Sequence, residues 1–237
     1  MDQWIEHPNV TAVILGHLPG QDSGRGLAEI LFGKVSPSGK LPYTLAKNES
    51  DYEALAPDVG EGKYKNYPQS DFAESIFIDY RHFDHNDIEP RFEFGFGLSY
   101  TTFEYSDLEI TILSNNCTRP GPPPKRKTLP GGNPAIWKKI VRVTANIRNT
   151  GSDFEGAEAA QLYIGIPGDD NPIRQLRGFD KVTLAPGEVG AVEFELTRKD
   201  LSVWDVVKQD WVLREGEYKV YVGSSSRKLH LEGEFEV

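Results

Sequence analysis

From Phe103 onward the sequence breaks into short segments in which apolar residues recur at every second position, each followed by a turn signal. The segments are 103–112, 138–147, 158–166, 175–183, 189–196, 210–213 taken with 217–223, and 228–236. "NTGSDFEG", "PGDDNP", "LAPGE" and "REGE" stand between them. Period-two alternation sets one face of a strand against a core and the other toward solvent. Strands in this number, with turns of this kind, predict an antiparallel β-sandwich. Between the first two strands, "RPGPPPKRKTLPGGNP" is a Pro/Gly/basic loop and is expected to be mobile.

The first hundred residues follow a different pattern. "VTAVILG" (10–16) is almost entirely apolar, the mark of a strand buried on both faces of a parallel sheet. After the loop "HLPGQDSG", residues 23–32 place Leu27, Ile30 and Leu31 on one helical stripe, and Gly33 is positioned to end the helix. "SPSGKLPYT" turns into a short strand near Leu41–Thr44. This is one βαβ unit, and one unit does not make a domain. Residues 46–91 are acidic and rich in Tyr, Asp, Asn and Pro, and are expected to form a long ordered connector with little regular structure.

Charge separates the same two regions. Residues 1–102 hold 16 acidic and 8 basic side chains, whereas residues 103–237 hold 20 and 18, within a chain of net charge −10. An acidic balance argues against a nucleic-acid partner, which needs clustered Lys and Arg. No apolar run approaches the roughly 18–20 residues that span a bilayer, so no membrane partner is expected. The opening "MDQWIEHPN" is polar and does not read as a signal peptide. Cys117 is alone, which leaves no internal disulfide framework. Asn9-Val-Thr11, Asn48-Glu-Ser50 and Asn116-Cys-Thr118 are glycosylation sequons, so Asn9, Asn48 and Asn116 are candidate sites of a secreted protein.

Few residues suggest chemistry. Asp22 and Ser23 stand at a helix N-terminus beyond a parallel strand, where the helix dipole favours anions, but a helix cap is the reading taken. "DYRHFDHNDIEP" gathers Asp79, His82, Asp84, His85, Asp87 and Glu89. It has no HExxH spacing, and Ile88 or Glu89 stands where a calcium loop needs Gly, so it reads as a connector held by local hydrogen bonds. His7, His17 and His230 show no partner pattern, and Arg174, Arg177 and Lys181 read as strand-face charge. There is no GxSxG elbow and no convincing set of nucleophile, base and orienting group. No metal or cofactor is expected.

In "FEFGFGLSY" (92–100), Phe92, Phe94, Phe96, Leu98 and Tyr100 alternate with Gly95 and Gly97. An extended chain would put the aromatic rings on one face and leave room for another backbone on the other. The simplest reading is a strap packed where the connector enters the sandwich; a sugar-stacking platform is the alternative.

Four segments together resemble one family. They are "HPNVTAVILGHLPGQDSGRGLAEILFGKVSPSGKLPYT", "FIDYRHFDHNDIEPRFEFGFGLSYTTFEYS", "GAEAAQLYIGIP…RQLRGFDKVTLAPGE" and "RKDLSVWDV…W…GEYKVYVGSSS". In order, they resemble the C-terminal third of fungal family 3 glycoside hydrolases of the β-glucosidase type. The resemblance implies that residues 1–44 end an α/β sandwich, 45–102 connect, and 103–237 form a fibronectin type III-like, immunoglobulin-like antiparallel sandwich. It implies a secreted retaining enzyme acting on terminal β-glucosides, or on β-xylosides in related enzymes. The nucleophilic Asp of the family, in an "SDW"-type motif, and its acid/base Glu map onto no residue here and are expected upstream of Met1. Asp22 stands where relatives often carry Glu, a position that is not the acid/base. The implied partners are an N-terminal barrel and sandwich of the same polypeptide and, through the parent enzyme, a β-glucoside or oligosaccharide. A stand-alone module binding glycan or protein is the reading from another class.

Overall fold

The computed structural model describes residues 2–52, 62–67, 72–114 and 118–237. Among the described residues three short α-helices precede the strands: α1 (Asp2–Ile5), α2 (Ser23–Leu31) and α3 (Tyr80–His85). Nine strands follow: β1 (Phe103–Ile112), β2 (Lys139–Asn149), β3 (Gly156–Gly165), β4 (Gln175–Leu184), β5 (Val189–Thr197), β6 (Ser202–Asp205), β7 (Asp210–Leu213), β8 (Glu217–Gly223) and β9 (Leu229–Glu236).

Seven of these strands make the expected sandwich: a three-stranded sheet in the order β1-β2-β5 faces a four-stranded sheet in the order β4-β3-β8-β9. The alternation read in the sequence is the packing itself. On β2, Val141, Val143, Ala145 and Ile147 point inward, while Arg142, Thr144 and Asn146 between them are partly exposed. They meet Ala160, Leu162 and Ile164 of β3, Val220 and Val222 of β8, and Phe194 and Leu196 of β5 in one core. Along β1 a bulge between Ser106 and Glu109, with Asp107 at φ 54°, moves the inward set from Phe103 and Tyr105 to Leu108 and Ile110. Tyr218, near the start of β8, is fully buried; its hydroxyl accepts from Arg214 N (3.0 Å) and donates to Leu201 O (3.1 Å). This tyrosine corner ties the strand to the loop before it, and burial pushes the hydroxyl pKa up to about 12.

Residues 210–213 do not extend into β8. They form β7, which pairs with β6 in a separate two-stranded ribbon, Trp204 lying opposite Trp211. Strand β6 has only four residues, too few for alternation to announce it. The Pro-rich loop is tied down rather than loose. Gly121 exchanges backbone hydrogen bonds with Leu213 (2.7 and 3.0 Å), and Arg198 donates to the carbonyls of Arg119 (3.1 Å) and Gly121 (2.7 Å).

The N-terminal helix forms as expected. Gly33, at φ 69°, ends it with its N–H on Ile30 O. The strands expected on either side of it do not form ladders with each other. Residues 10–16 lie in no named strand and have no described neighbour alongside, and a strand exists only through its partner's hydrogen bonds. Leu41 and Leu45 pair instead with the 92–96 strap: Leu41 N donates to Phe96 O (2.8 Å) and Leu45 N to Phe92 O (2.8 Å). α2 has no buried residue, and Leu18 and Phe32 are 98% and 83% exposed.

This contrast in packing sets a contrast in local stability. Hydrogen exchange on the 237-residue chain should find amides of 161–164 protected by about a thousandfold or more over those of 10–16. Equal protection of the two segments would show that residues 10–16 are held by contacts beyond those described.

Candidate functional site

The connector does not hang free. It lies on the outer face of the four-stranded sheet, and the site built there is a seam of aromatic rings, a buried amide and buried charge.

Strand β3 is covered on both faces, and its outward residues Gln161 and Tyr163 are 4% and 0% exposed. Tyr80, from α3, packs at a tilt against Phe94 (ring centroids 4.9 Å) and meets Tyr163 edge-on at 5.9 Å. Its hydroxyl accepts the backbone N–H of Leu176 on edge strand β4 (2.8 Å), occupying a donor that would otherwise face solvent. Gln161 Nε2 donates to Gly95 O (3.1 Å) and to Ser224 O (2.7 Å), while its Oε1 accepts from the Tyr163 hydroxyl (2.6 Å). This buried amide therefore has partners at both ends. Position 95 must be Gly: its φ is 80°, and a Cβ there would lie 2.1 Å from Gln161 Oε1. At Gly97 a Cβ would stand 2.1 Å from the Gly39 carbonyl oxygen.

The strap reading of 92–100 holds, but its geometry is not an alternating strand. A turn at Phe94–Gly95 breaks the extended chain, so Phe92 stacks on Phe96 (4.9 Å) while Phe94 faces Tyr80. Leu98 and Tyr100 remain exposed at 72% and 44%, and the Tyr100 hydroxyl donates to Ile30 O (2.9 Å) in α2.

The acidic run in the connector is absorbed by this seam. Asp84 is inserted between two arginines of the sandwich, Arg174 (3.0 Å) and Arg227 (3.2 Å), with its side chain 5% exposed. Burial raises the Asp84 pKa, and the two guanidinium groups oppose that rise. Arg227 also reaches Glu89 (2.8 Å) and Ile88 O (2.8 Å). Asp79 accepts from Thr44 N (2.8 Å), His82 Nε2 lies 3.1 Å from Asp51 O, and His85 packs at a tilt against Phe77 (ring centroids 4.3 Å). Among the described residues no three His, Cys, Asp or Glu side chains converge as metal ligands do. Arg174 is thus half of an interdomain clamp and not strand-face charge. Arg177 is also committed, donating through Nε to Asp200 O (2.6 Å).

At one end of the sandwich, Glu158 is buried between Lys40 (3.3 Å) and the Tyr105 hydroxyl (2.8 Å). Burial, with the Glu158 carboxylate, pushes the Tyr105 hydroxyl pKa upward. Asp22 sits at the N-cap of α2 without a side-chain cap bond and pairs loosely with Arg25 at 3.9 Å, so the cap expected there is not made by its carboxylate. His17 contacts the Tyr43 hydroxyl at 2.6 Å, His7 accepts from Asn9 N at 3.2 Å, and His230 stacks on Tyr105 at 4.2 Å. Asn9 and Asn48 are exposed; Asn116 and Cys117 lie outside the described residues. The seam's partners could not be paired from sequence, because Asp84 and Arg227 stand far apart in the chain. The one legible signal was the glycine spacing of "FEFGFG".

Comparison with known proteins places this arrangement. Residues 1–100 match the model of the glycosyl hydrolase family 3 C-terminal domain, and residues 158–226 match that of the fibronectin type III-like domain. The chain belongs to glycosyl hydrolase family 3. It corresponds to the C-terminal part of such proteins. Over its full length it is 57% identical to a probable β-glucosidase M of Aspergillus flavus and spans 30% of that protein. The crystal structure of a β-D-glucoside glucohydrolase from Trichoderma reesei superposes with a TM-score of 0.83 at 42% identity, covering 93% of this chain and 29% of the other. A family 3 β-glucosidase from Neurospora crassa superposes with a TM-score of 0.89 at 35% identity, covering 99% of this chain and 36% of the other.

The seam in this family 3 chain is testable by charge removal. Replacing Asp84 with Ala removes the anion from Arg174 and leaves Arg227 with the exposed Glu89, and should lower stability to urea by about 3 kcal/mol. Phe179→Ser, at a side chain 73% exposed, is the control and should stay within about 0.5 kcal/mol. A loss no larger than the control's would show that the clamp does not hold the connector.

Proposed function

We propose that this chain is the C-terminal brace of a secreted, retaining β-glucosidase that releases terminal non-reducing β-D-glucosyl residues, as in cellobiose and cellulose breakdown. The observation that carries this is the identity of 57% along the whole chain with a probable β-glucosidase. The chain spans about 30% of the length of that relative, and the catalytic pair is assigned to the part it does not match. The chemistry of the described carboxylates supports that assignment. Retaining hydrolysis needs two carboxyl groups about 5–5.5 Å apart with a sugar between them. Here the buried carboxylates Asp84 and Glu158 are held by two arginines and by Lys40 and Tyr105, and the partly buried Glu93 by Ser225 (2.6 Å).

The exposed apolar side chains of the N-terminal region support the partner assigned to it. Ile14, Leu18, Leu27, Leu31 and Phe32 form too much bare hydrocarbon around one short helix to face water unaided. The rest of an α/β sandwich in the same polypeptide would cover them and give residues 10–16 their missing ladder. The seam then transmits a fixed orientation from the fibronectin-like sandwich to that domain. A stand-alone module has no use for such a face.

Activity assays separate the readings. The whole enzyme should hydrolyse an aryl β-glucoside faster than an aryl β-xyloside, while the 237-residue chain alone should not exceed the uncatalysed rate with either. Turnover by the purified chain would place catalytic groups within it, and preference for the xyloside would change the substrate assignment. Secretion from a fungal host should also add glycans at Asn9, Asn48 and Asn116, read by intact mass and peptide mapping. Secreted material free of glycan at all three would overturn the extracellular assignment.

A further inference from the structure

Three of the chain's four tryptophans line one groove, and it lies outside the core and away from the seam. Trp204 and Trp211 are cross-strand partners on the β6–β7 ribbon, with ring centroids 5.7 Å apart and planes at 70°. Trp137 ends the 3-10 turn Pro134–Trp137 on the other side. Lys199 stands between them, its Nζ 4.6 Å from the Trp137 ring centre and 5.1 Å from that of Trp211. The groove has a volume of 490 Å³, within the roughly 300–1,000 Å³ of small-ligand sites.

The exposure of these rings is not explained by folding. The ribbon belongs to neither large sheet, yet Trp137 and Trp204 are 49% and 46% exposed, and Val206 and Val207 at its tip are 72% and 90% exposed. The platform is nonetheless held in place. Trp137 Nε1 donates to Gly131 O (3.1 Å), and the Gly121–Leu213 bridge ties the Pro-rich loop to β7. Trp137 and Trp211 receive the Lys199 ammonium on their π faces, while Trp204, set edge-to-face against Trp211, is left partly bare. A face that accepts a cation accepts any positively polarised edge, and the C–H face of a pyranose is such an edge.

The rim adds charge. In a chain of net charge −10, Lys125 and Arg126 join Lys199 around the groove, and neither makes an ion pair among the described residues; the acidic lining residue is Asp210. We propose that this groove binds an acidic oligosaccharide: a pyranose chain whose rings stack on Trp204 and its neighbours while its carboxylates meet Lys125 and Arg126. Arg126 supplies a planar fork matched to a carboxylate. The same groove is poorly suited to a nucleic-acid strand, whose closely spaced phosphates would meet the negative charge of the rest of the chain.

Tryptophan fluorescence of the 237-residue chain, titrated with a glucuronic-acid-bearing xylo-oligosaccharide, tests this. Neutral xylohexaose, polyaspartate and an oligothymidylate serve as comparisons. The acidic oligosaccharide should bind at least tenfold more tightly than xylohexaose, and more weakly as salt is raised from about 20 to 300 mM. Trp204→Ala should weaken it tenfold or more, Trp204→Tyr should keep most of the affinity, and Lys125→Ala with Arg126→Ala should bring it to the neutral level. Four results would overturn the proposal. These are no binding up to about 10 mM, Trp204→Ala binding like the wild type, equal affinity for acidic and neutral sugar, and polyaspartate or oligothymidylate binding as tightly as the sugar.

Discussion

Strand β3 is buried on both faces, and the arrangement of the rest of the chain follows from that. A strand of a sandwich ordinarily turns one face to water. Here the second face carries Gln161 and Tyr163, and an amide without partners under an aromatic layer would be costly. The connector supplies those partners through its own backbone, from Gly95 O, and the turn after β8 supplies another from Ser224 O. Only a glycine lets the connector approach so closely. The aromatic spacing of the strap is therefore a consequence of where the backbone must pass.

Charge reinforces the same contact. The acidic excess of the first hundred residues is directed at arginines of the sandwich, with Asp84 and Glu89 on Arg227 and Asp84 on Arg174. At the end of the sandwich the signs reverse, with Lys40 on Glu158. The ion pairs of Asp84 and Glu158, whose carboxylates are 5% exposed, contribute through mutual dependence. Each charge is tolerable because its partner is present, and removing one leaves the others exposed to the low-dielectric interior. Such contacts define one orientation between connector and sheet better than apolar packing alone would.

The strands were legible because alternation is a local pattern. Val141, Val143, Ala145 and Ile147 identify β2 without knowledge of any partner, and turns such as "LAPGE" mark where chains reverse. The ribbon escaped notice because four residues are too few to show a period. Residues 10–16 show the opposite limit of a local pattern. Their apolarity describes the surroundings of a buried strand, but ladder partners, which no described residue provides, make the strand. The Pro-rich loop has the composition of a loose segment, and its restraint comes from Arg198 and Leu213, far along the chain.

By itself the sequence determined the antiparallel sandwich, the helix at 23–31 and its Gly33 stop, and the need for small residues at 95 and 97. These depend on period, propensity and steric size, which are properties of neighbouring residues. The tertiary structure alone decided that the connector covers β3, that Asp84 belongs to Arg174 and Arg227, and that Trp137 joins Trp204 and Trp211 around Lys199. Those pairings join positions many residues apart, and chain folding, not local pattern, selects which distant charges and rings meet.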